Sequence, residues 1–403
     1  MNRQIIQGDA LEKLKEIKKD KIGLITTDPP YGYSFMNKSW DKALVSVETW
    51  KECLRVLKPG GFAFVMSAPR QDVMSRMIVN LEDAGFVTNF TPIFWAYATG
   101  FPKATNISKM VDKKLGKKRE KKTVIKNKTN TNSPYQDSDV AISKQAKKLN
   151  GSYAGFQPKP AVEVVLVCMK PLNKKNYIEQ AMDNAKGITW LDDCRIPFVD
   201  DENIKDESKV NRKKALDVVG DFGFNIQGVK ANPPHPKGRF PANLLASDDS
   251  LNDGKITKSK AGIRNNNHMR DVYGWAKSKG KHDPLYSPIE DEGSFSRYFD
   301  LDKWNAQFII TPKPSMSEKQ KGLKQKNTHP TVKPISLMKY LITMGSRKND
   351  LVLDPFLGSG TTGIACEMLG RNWIGIELLE EHIEIAKGRL RGFMEQERLE
   401  SFT

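Results

Sequence analysis

The chain has 403 residues, a mean hydropathy of −0.55 and a formal net charge of +17, with a pI near 9.5. No apolar run approaches the ~20 residues of a membrane span, and the first residues lack the apolar core of a signal peptide, so a cytoplasmic protein without a membrane partner is expected. The four cysteines (Cys53, Cys168, Cys194 and Cys366) form no CxxC pair and the five histidines are dispersed, which argues against a zinc site or a disulfide framework. No metal is expected.

In chain order, Arg3 to Gln7 reads as a strand. Asp9 reads as the N-cap of a helix running to Lys18, with Glu12 completing a capping box. Lys21 to Thr27 is the next strand and ends at Asp28-Pro29-Pro30. Val45 to Leu57 has helical spacing and is stopped by Pro59-Gly60-Gly61. Phe62 to Met66 is a buried-type strand, Asp72 to Ala84 a helix ended by Gly85, and Phe86 to Tyr97 an aromatic and β-branched strand. This βαβα alternation predicts a largely parallel sheet covered by helices.

The pattern then changes. Residues 101–150 hold fourteen Lys and Arg against four Asp and Glu and few apolar positions, so a long, mobile, basic insertion is expected. Such local charge suggests a polyanionic partner. Ala161 to Met169 returns as a strand, expected beside Phe86–Tyr97 as a hairpin with a greatly extended loop. Residues 172 to about 305 have weak periodicity and read as an irregular subdomain. Gln307–Thr311 is a short strand, Pro334–Met344 a helix and Leu351–Leu353 a buried strand. Thr361–Leu369, Trp373–Glu377 and Leu379–Met394 follow as helix, strand and helix.

Two motifs carry chemistry. The first, Gly358-Ser359-Gly360-Thr361-Thr362-Gly363, fits GxGxxG, follows a strand and opens a helix, and Glu377 lies nineteen residues beyond Gly358. That context suits a nucleoside: the glycines admit close backbone approach and Glu377 can accept from both ribose hydroxyls. A nicotinamide site is the competitor. Asp354-Pro355-Phe356 immediately before the glycines counts against it, because a carboxylate there repels a pyrophosphate but suits the cationic methionine part of S-adenosylmethionine. The second motif is Asp28-Pro29-Pro30-Tyr31, also at a strand end. An aromatic amine is a poor nucleophile because its lone pair is delocalised. Hydrogen bonds from its NH2 group to the Asp28 carboxylate and the Pro29 carbonyl would aim that lone pair at a methyl group. Pro29 and Pro30 fix the turn, and Tyr31 offers a flat face to a base.

Together these residues resemble the DNA amino-methyltransferases in which the catalytic tetrapeptide precedes the cofactor loop, the beta group. Gly8-Asp9-Ala10-Leu11, Leu57-Lys58-Pro59-Gly60-Gly61 and His329-Pro330-Thr331-Val332-Lys333-Pro334 are similar to further segments of that family. The resemblance covers roughly 1–100, 160–172 and 305–395. It implies a Rossmann-like α/β fold with a mixed seven-stranded sheet and helices on both faces, and an inserted irregular DNA-recognition region. It also implies base flipping and S-adenosyl-L-methionine as cofactor. Asp28, Pro29, Pro30 and Tyr31 would be catalytic. Asp9, Ala10, Thr331, Lys333, Pro334, Asp354, Pro355, Phe356, Gly358, Ser359, Gly360, Thr361 and Glu377 would hold the cofactor. Asp9 as a mere helix cap, and His329 and Lys333 as structural or solvated side chains, are the competing readings.

DNA is the expected partner, gripped by Lys103, Lys113, Lys114, Lys117, Lys118 and Arg119. Arg195, Arg212, Arg239, Asn243, Arg264, Asn265 and Arg270 are candidate base readers. The expected organisation is 1–100 as the catalytic half, 101–160 as a DNA-contacting insertion, 161–172 as the hairpin strand, 173–305 as target recognition and 306–403 as the cofactor half. In the family that the sequence resembles, an acid at the position of Asp28 is commoner in adenine N6 enzymes and Ser in cytosine N4 enzymes, so the resemblance implies adenine N6, with cytosine N4 as the alternative and a nucleic-acid-binding protein without catalysis as the reading from another class. The chain carries no nuclease signature, so a restriction activity would need a separate endonuclease.

Overall fold

A computed structural model describes residues 3–32, 43–97, 104–119, 121–125, 135–156, 158, 160–197 and 332–400. Between 198 and 331 it describes only short pieces, chiefly 235–247 and 298–301. The chain divides into two compact units, residues 1–98 with 162–403, and residues 99–161.

The first unit is built on an eight-stranded sheet. Its strands are β1 (Arg3–Gln7), β2 (Ile22–Thr27), β3 (Leu57–Ser67), β4 (Ile93–Ala96), β5 (Val162–Met169), β6 (Leu244–Ala246), β7 (Leu351–Asp354) and β8 (Asn372–Glu377), in the order β1-β8-β7-β2-β3-β5-β4-β6. The run from β1 to β3 is parallel. β5 is antiparallel to both β3 and β4, and β4 pairs β6 in parallel. The sheet is therefore mixed, as expected, with eight strands rather than seven. The added edge strand comes from the region read as irregular: Leu244 to Ala246 align with Phe94 to Ala96. Three residues are too few to show a period, so the strand exists through its partner. The hairpin of β4 and β5 is present, with Trp95 opposite Glu163.

Alternating residues sort to the two faces of the sheet. Leu24, Phe64 and Met66 belong to one cluster, with α5 (Ile335–Gly345), α6 (Thr361–Met368) and α7 (Glu380–Glu400) supplying Leu337, Leu341, Ile364 and Ala386. Ile25, Ala63 and Val65 belong to the other, with α1 (Ala10–Glu16), α2 (Val47–Val56) and α3 (Gln71–Asp83) supplying Leu14, Trp50, Cys53, Met77 and Leu81. Helices thus cover both faces, and α4 (Tyr177–Asn184) lies between α3 and α5 in the chain. From the region 173–305, Cys194, Ile196, Leu245, Leu301 and Trp304 join the first cluster. Such buried apolar side chains each contribute ~1.5–3 kcal/mol. The predicted strand Gln307–Thr311 lies outside the described residues. No helix among them is long and apolar enough to cross a membrane.

Among its described residues the second unit contains helices and a strand pair, elements its composition does not predict. It holds helices Ile107–Lys114 and Lys144–Lys148 and an antiparallel pair, Lys121–Ile125 with Tyr135–Asp139. The organising group is Asp112, 1% exposed. It accepts from the amides of Ile142 and Ser143 at 3.0 Å, from Ser143 Oγ at 2.6 Å and from Arg119 Nε at 2.6 Å. Burial pushes the Asp112 carboxyl up, but these donors outweigh it and hold it well below the usual carboxylate range. One buried charge thus joins Arg119 to Ile142 and Ser143, a link that an apolar pattern does not record.

Candidate active site

Parallel strands bring their carboxyl ends to one edge, so β1, β8, β7 and β2 present Asp9, Glu377, Asp354 and Asp28 there in succession. The antiparallel β5 begins where those strands end, which adds Glu163 to the same edge, and β4 runs out beside it at Tyr97. Open α/β sheets bind ligands at this edge.

The cofactor side is built on two buried acids. Asp354 is 4% exposed. Its Oδ1 accepts from Thr27 Oγ1 at 2.7 Å and from the Phe356 amide at 3.1 Å, and its Oδ2 from Thr362 Oγ1 at 2.6 Å. Burial dominates these bonds and raises its carboxyl to about 6. Asp354 therefore ties the strand end to the glycine loop and to β2. The loop itself turns through Gly358 and Gly360, at φ 53° and 82°. At Gly360 an added Cβ would stand 2.9 Å from the Ala386 side chain, so the residue must be glycine for steric as well as torsional reasons. Arg389, fully buried on α7, donates from Nη1 to the Ser359 carbonyl at 2.7 Å, to Ser359 Oγ at 2.9 Å and to Thr361 Oγ1 at 3.1 Å. Ser359 and Thr361 are thereby held, both nearly buried.

Glu377 closes the loop from β8. Its Oε2 accepts from the Gly358 amide at 2.8 Å and its Oε1 from the Leu379 amide at 2.9 Å, with His382 Nδ1 at 3.4 Å. Burial raises this carboxyl, but the bonds from His382, Leu379 and Gly358 prevail and lower it. The Gly8 amide donates to the Glu377 carbonyl at 3.0 Å, which sets Asp9 beside it. Asp9 caps α1 through the amides of Leu11 and Glu12, and Ala10 is buried in that first turn. Glu12 bonds Lys15 at 2.8 Å. Pro355 is buried, and Phe356 packs edge-on to Trp50.

The catalytic side centres on Asp28, whose side chain is 20% exposed. Its Oδ1 accepts from the Tyr31 hydroxyl at 2.5 Å, and its Oδ2 from Lys333 Nζ. Pro29 is buried and Pro30 half-buried. Lys333, expected at the cofactor, is found on Asp28. Its ammonium also lies 3.4 Å from Glu163 Oε2 and 6.0 Å from the Tyr31 ring centre. Burial lowers the Lys333 amine, but Asp28 and Glu163 outweigh burial and raise it, so the lysine is charged. Tyr97 is pushed to about 12 by burial and by the Glu163 charge. Pro334 is the N-cap of α5. Thr331 and His329 lie outside the described residues.

Sequence reading missed Thr27, Tyr97, Glu163, Thr362, His382 and Arg389. Glu163 had a signal: it is the single acid in the apolar run Ala161–Met169.

Of the residues expected on DNA, Lys113, Lys114, Lys117 and Lys118 are exposed on the second unit. Arg119 differs, since its side chain is 9% exposed and its guanidinium donates to Asp112 and to Ser108 Oγ, each at 2.6 Å. Lys103 lies outside the described residues, as do Arg212, Asn265 and Arg270. Arg264 sits on a short strand pair, Gly262–Arg264 with Leu285–Ser287. Arg195 is bonded to Asp192 and the Gly238 carbonyl, Arg239 to the Pro197 carbonyl, and Asn243 to the Pro92 carbonyl.

Comparison with known proteins bears on this geometry. The family described as DNA methylase, of N6 and N4 type, matches residues 22–388. The type II methyltransferase M.HinfI of Haemophilus influenzae is 49% identical over 74 residues, 18% of this chain and 21% of that protein. The type II methyltransferase M2.LlaDCHI of Lactococcus lactis subsp. cremoris is 36% identical over 124 residues, 30% of this chain and 42% of that one. The matched stretches thus span well under two thirds of these relatives. Among solved structures, the M1.HpyAVI–SAM complex aligns over 96% of this chain and 98% of its own, with 19% identity and a TM-score of 0.40. The PvuII cytosine-N4-specific DNA methyltransferase aligns over 96% and 86%, with 16% identity and a TM-score of 0.42. With the family match running across most of its length, the chain belongs to the N6/N4 DNA methylase family.

Proposed function

We propose that the protein transfers a methyl group from S-adenosyl-L-methionine to the exocyclic N6 amino group of adenine in DNA. The observation that carries this reading is the convergence of the Asp28–Tyr31 turn and the Gly358–Thr361 loop on one sheet edge, coupled by Thr27 and Asp354.

The residues fit the cofactor. Asp9, Asp354 and Glu377 stand at adjoining strand ends, a set that repels a pyrophosphate and suits a cationic amino-acid portion. Its bonds lower the Glu377 carboxyl, which favours the ionised form, and each oxygen keeps a lone pair for a ribose hydroxyl beside the amide it already accepts from. When bound, S-adenosylmethionine supplies an electrophilic methyl group.

The chain's own residues supply position. The target base leaves the duplex and stacks on Tyr31. Its NH2 group donates to Asp28 and to the Pro29 carbonyl, which turns the nitrogen lone pair toward the methyl carbon. The Tyr31 hydroxyl, bonded to Asp28, fixes the carboxylate plane while the ring serves the base. Transfer is direct and in line and gains mainly from positioning. The exposed lysines of the second unit bind phosphates and hold the duplex.

The test is methylation of unmethylated DNA by the purified chain, followed by nucleoside analysis. N6-methyladenine is expected. N4-methylcytosine alone would replace the base assignment, and no product would remove the reading.

A further inference from the structure

Glu163 stands at the reacting edge, yet positioning of the amine by Asp28 and Pro29 does not by itself require it. It faces Trp95 across the hairpin, its side chain is 22% exposed, and its Oε2 lies 3.4 Å from the ammonium that is bonded to Asp28. A carboxylate placed this deep costs solvation that a neutral residue would not. The charge count gives it a purpose. Asp28 and Lys333 alone sum to zero, whereas Asp28, Lys333 and Glu163 sum to −1.

That difference matters for amino methylation, on whose assignment to this site the inference rests. The amine lone pair forms the new C–N bond while the C–S bond breaks and its electron pair stays on sulfur. Positive charge therefore leaves the sulfonium and arrives on the amine nitrogen. It persists there until one N–H proton passes to the Asp28 carboxylate and on to water. A lysine cation beside Asp28 opposes that arrival unless a second carboxylate neutralises it. Lys333 also occupies Oδ2, one of the two oxygens that the incoming amine would use.

We propose that Glu163 is a positioning residue for methyl transfer. It draws the Lys333 ammonium off Asp28 as the target amine binds, and it keeps the three-residue set at −1 opposite the nitrogen. Lys333 is shared between two acids in the free protein so that a small shift toward Glu163 releases Asp28.

The test uses the full chain with labelled S-adenosylmethionine in single-turnover transfer to saturating DNA, with cofactor affinity measured by calorimetry. Glu163→Gln should slow transfer by about thirtyfold or more, while the dissociation constants for cofactor and DNA stay within about threefold. Adding Lys333→Met to that variant should make it about tenfold faster, because the unneutralised cation is gone. Glu163→Asp keeps the charge and should stay within about tenfold of the wild type, which holds the test if the glutamine variant folds poorly. Near-normal transfer by Glu163→Gln, a double variant no faster than the single, or Glu163→Asp as slow as Glu163→Gln would each overturn the proposal. Wild-type protein in the same assay separates the two claims: active wild type with unaffected Glu163→Gln refutes the role of Glu163 alone, and inactive wild type refutes methyl transfer itself.

Discussion

Thr27 Oγ1 donates to Asp354 Oδ1 at 2.7 Å across 327 residues of chain, joining the last residue of β2 to the last residue of β7. Asp28 follows the first and the glycine loop follows the second, so this buried bond reinforces the β2–β7 pairing that holds the two halves of the site side by side. Thr27→Val keeps the shape and removes the donor. It should cost about 1.5–3 kcal/mol of unfolding free energy, the usual contribution of a hydrogen bond to a charged group, with Oδ1 keeping the Phe356 amide. Urea denaturation reads it directly, and an unchanged midpoint would mean that the bond contributes nothing.

The same acid makes stability depend on pH. Aspartate in an unfolded chain titrates near ~3.9, and burial holds Asp354 at about 6 in the folded protein. Between those values the folded state keeps a proton that the unfolded state has lost. Stability therefore falls as pH rises through this window, and the Asp354 contribution has levelled off above it. Asp354→Asn should remove that part of the slope when unfolding is followed from about pH 4 to 7. A variant curve parallel to the wild type would contradict the assignment.

Asp28 carries the proposed chemistry and takes little part in the cofactor side. Asp28→Ala should slow methyl transfer by about a thousandfold or more while cofactor affinity changes little. Calorimetry beside a single-turnover assay checks both halves. Retained turnover would refute the mechanism, and a parallel loss of affinity would place Asp28 with the cofactor.

Lys113, Lys114, Lys117 and Lys118 are exposed cations of the second unit, and Arg119 is committed to Asp112. Replacing the four lysines by glutamine should weaken DNA binding and flatten the slope of log affinity against log salt by up to about 0.9 for each phosphate no longer neutralised. An unchanged slope would make the cluster bystander charge. Asp112→Ala acts differently, by releasing the fold: amide exchange at Ile142 and Ser143 should quicken by about tenfold or more.

The sequence made most of the central parallel strands legible because they carry apolar runs closed by a turn signal, as in Ile22–Thr27 before Asp28-Pro29-Pro30. The glycine loop was legible because Gly358, Gly360 and Glu377 keep a spacing imposed by one βαβ unit. Three features were not. Leu244–Ala246 is too short to carry a period and is defined by Phe94–Ala96 beside it. In the second unit Asp112 joins Ile142 and Ser143, 30 and 31 residues away, a pairing that no local pattern signals. The place of Lys333 depends on Asp28, 305 residues distant, a pairing that no local pattern records.

The most direct test of the central claim is transfer of labelled methyl groups from S-adenosylmethionine to unmethylated genomic DNA, with the nucleosides separated afterwards. Label is expected in N6-methyladenine. Label confined to N4-methylcytosine would contradict the base assignment, and an unlabelled DNA from protein that binds the cofactor would contradict the proposed reaction.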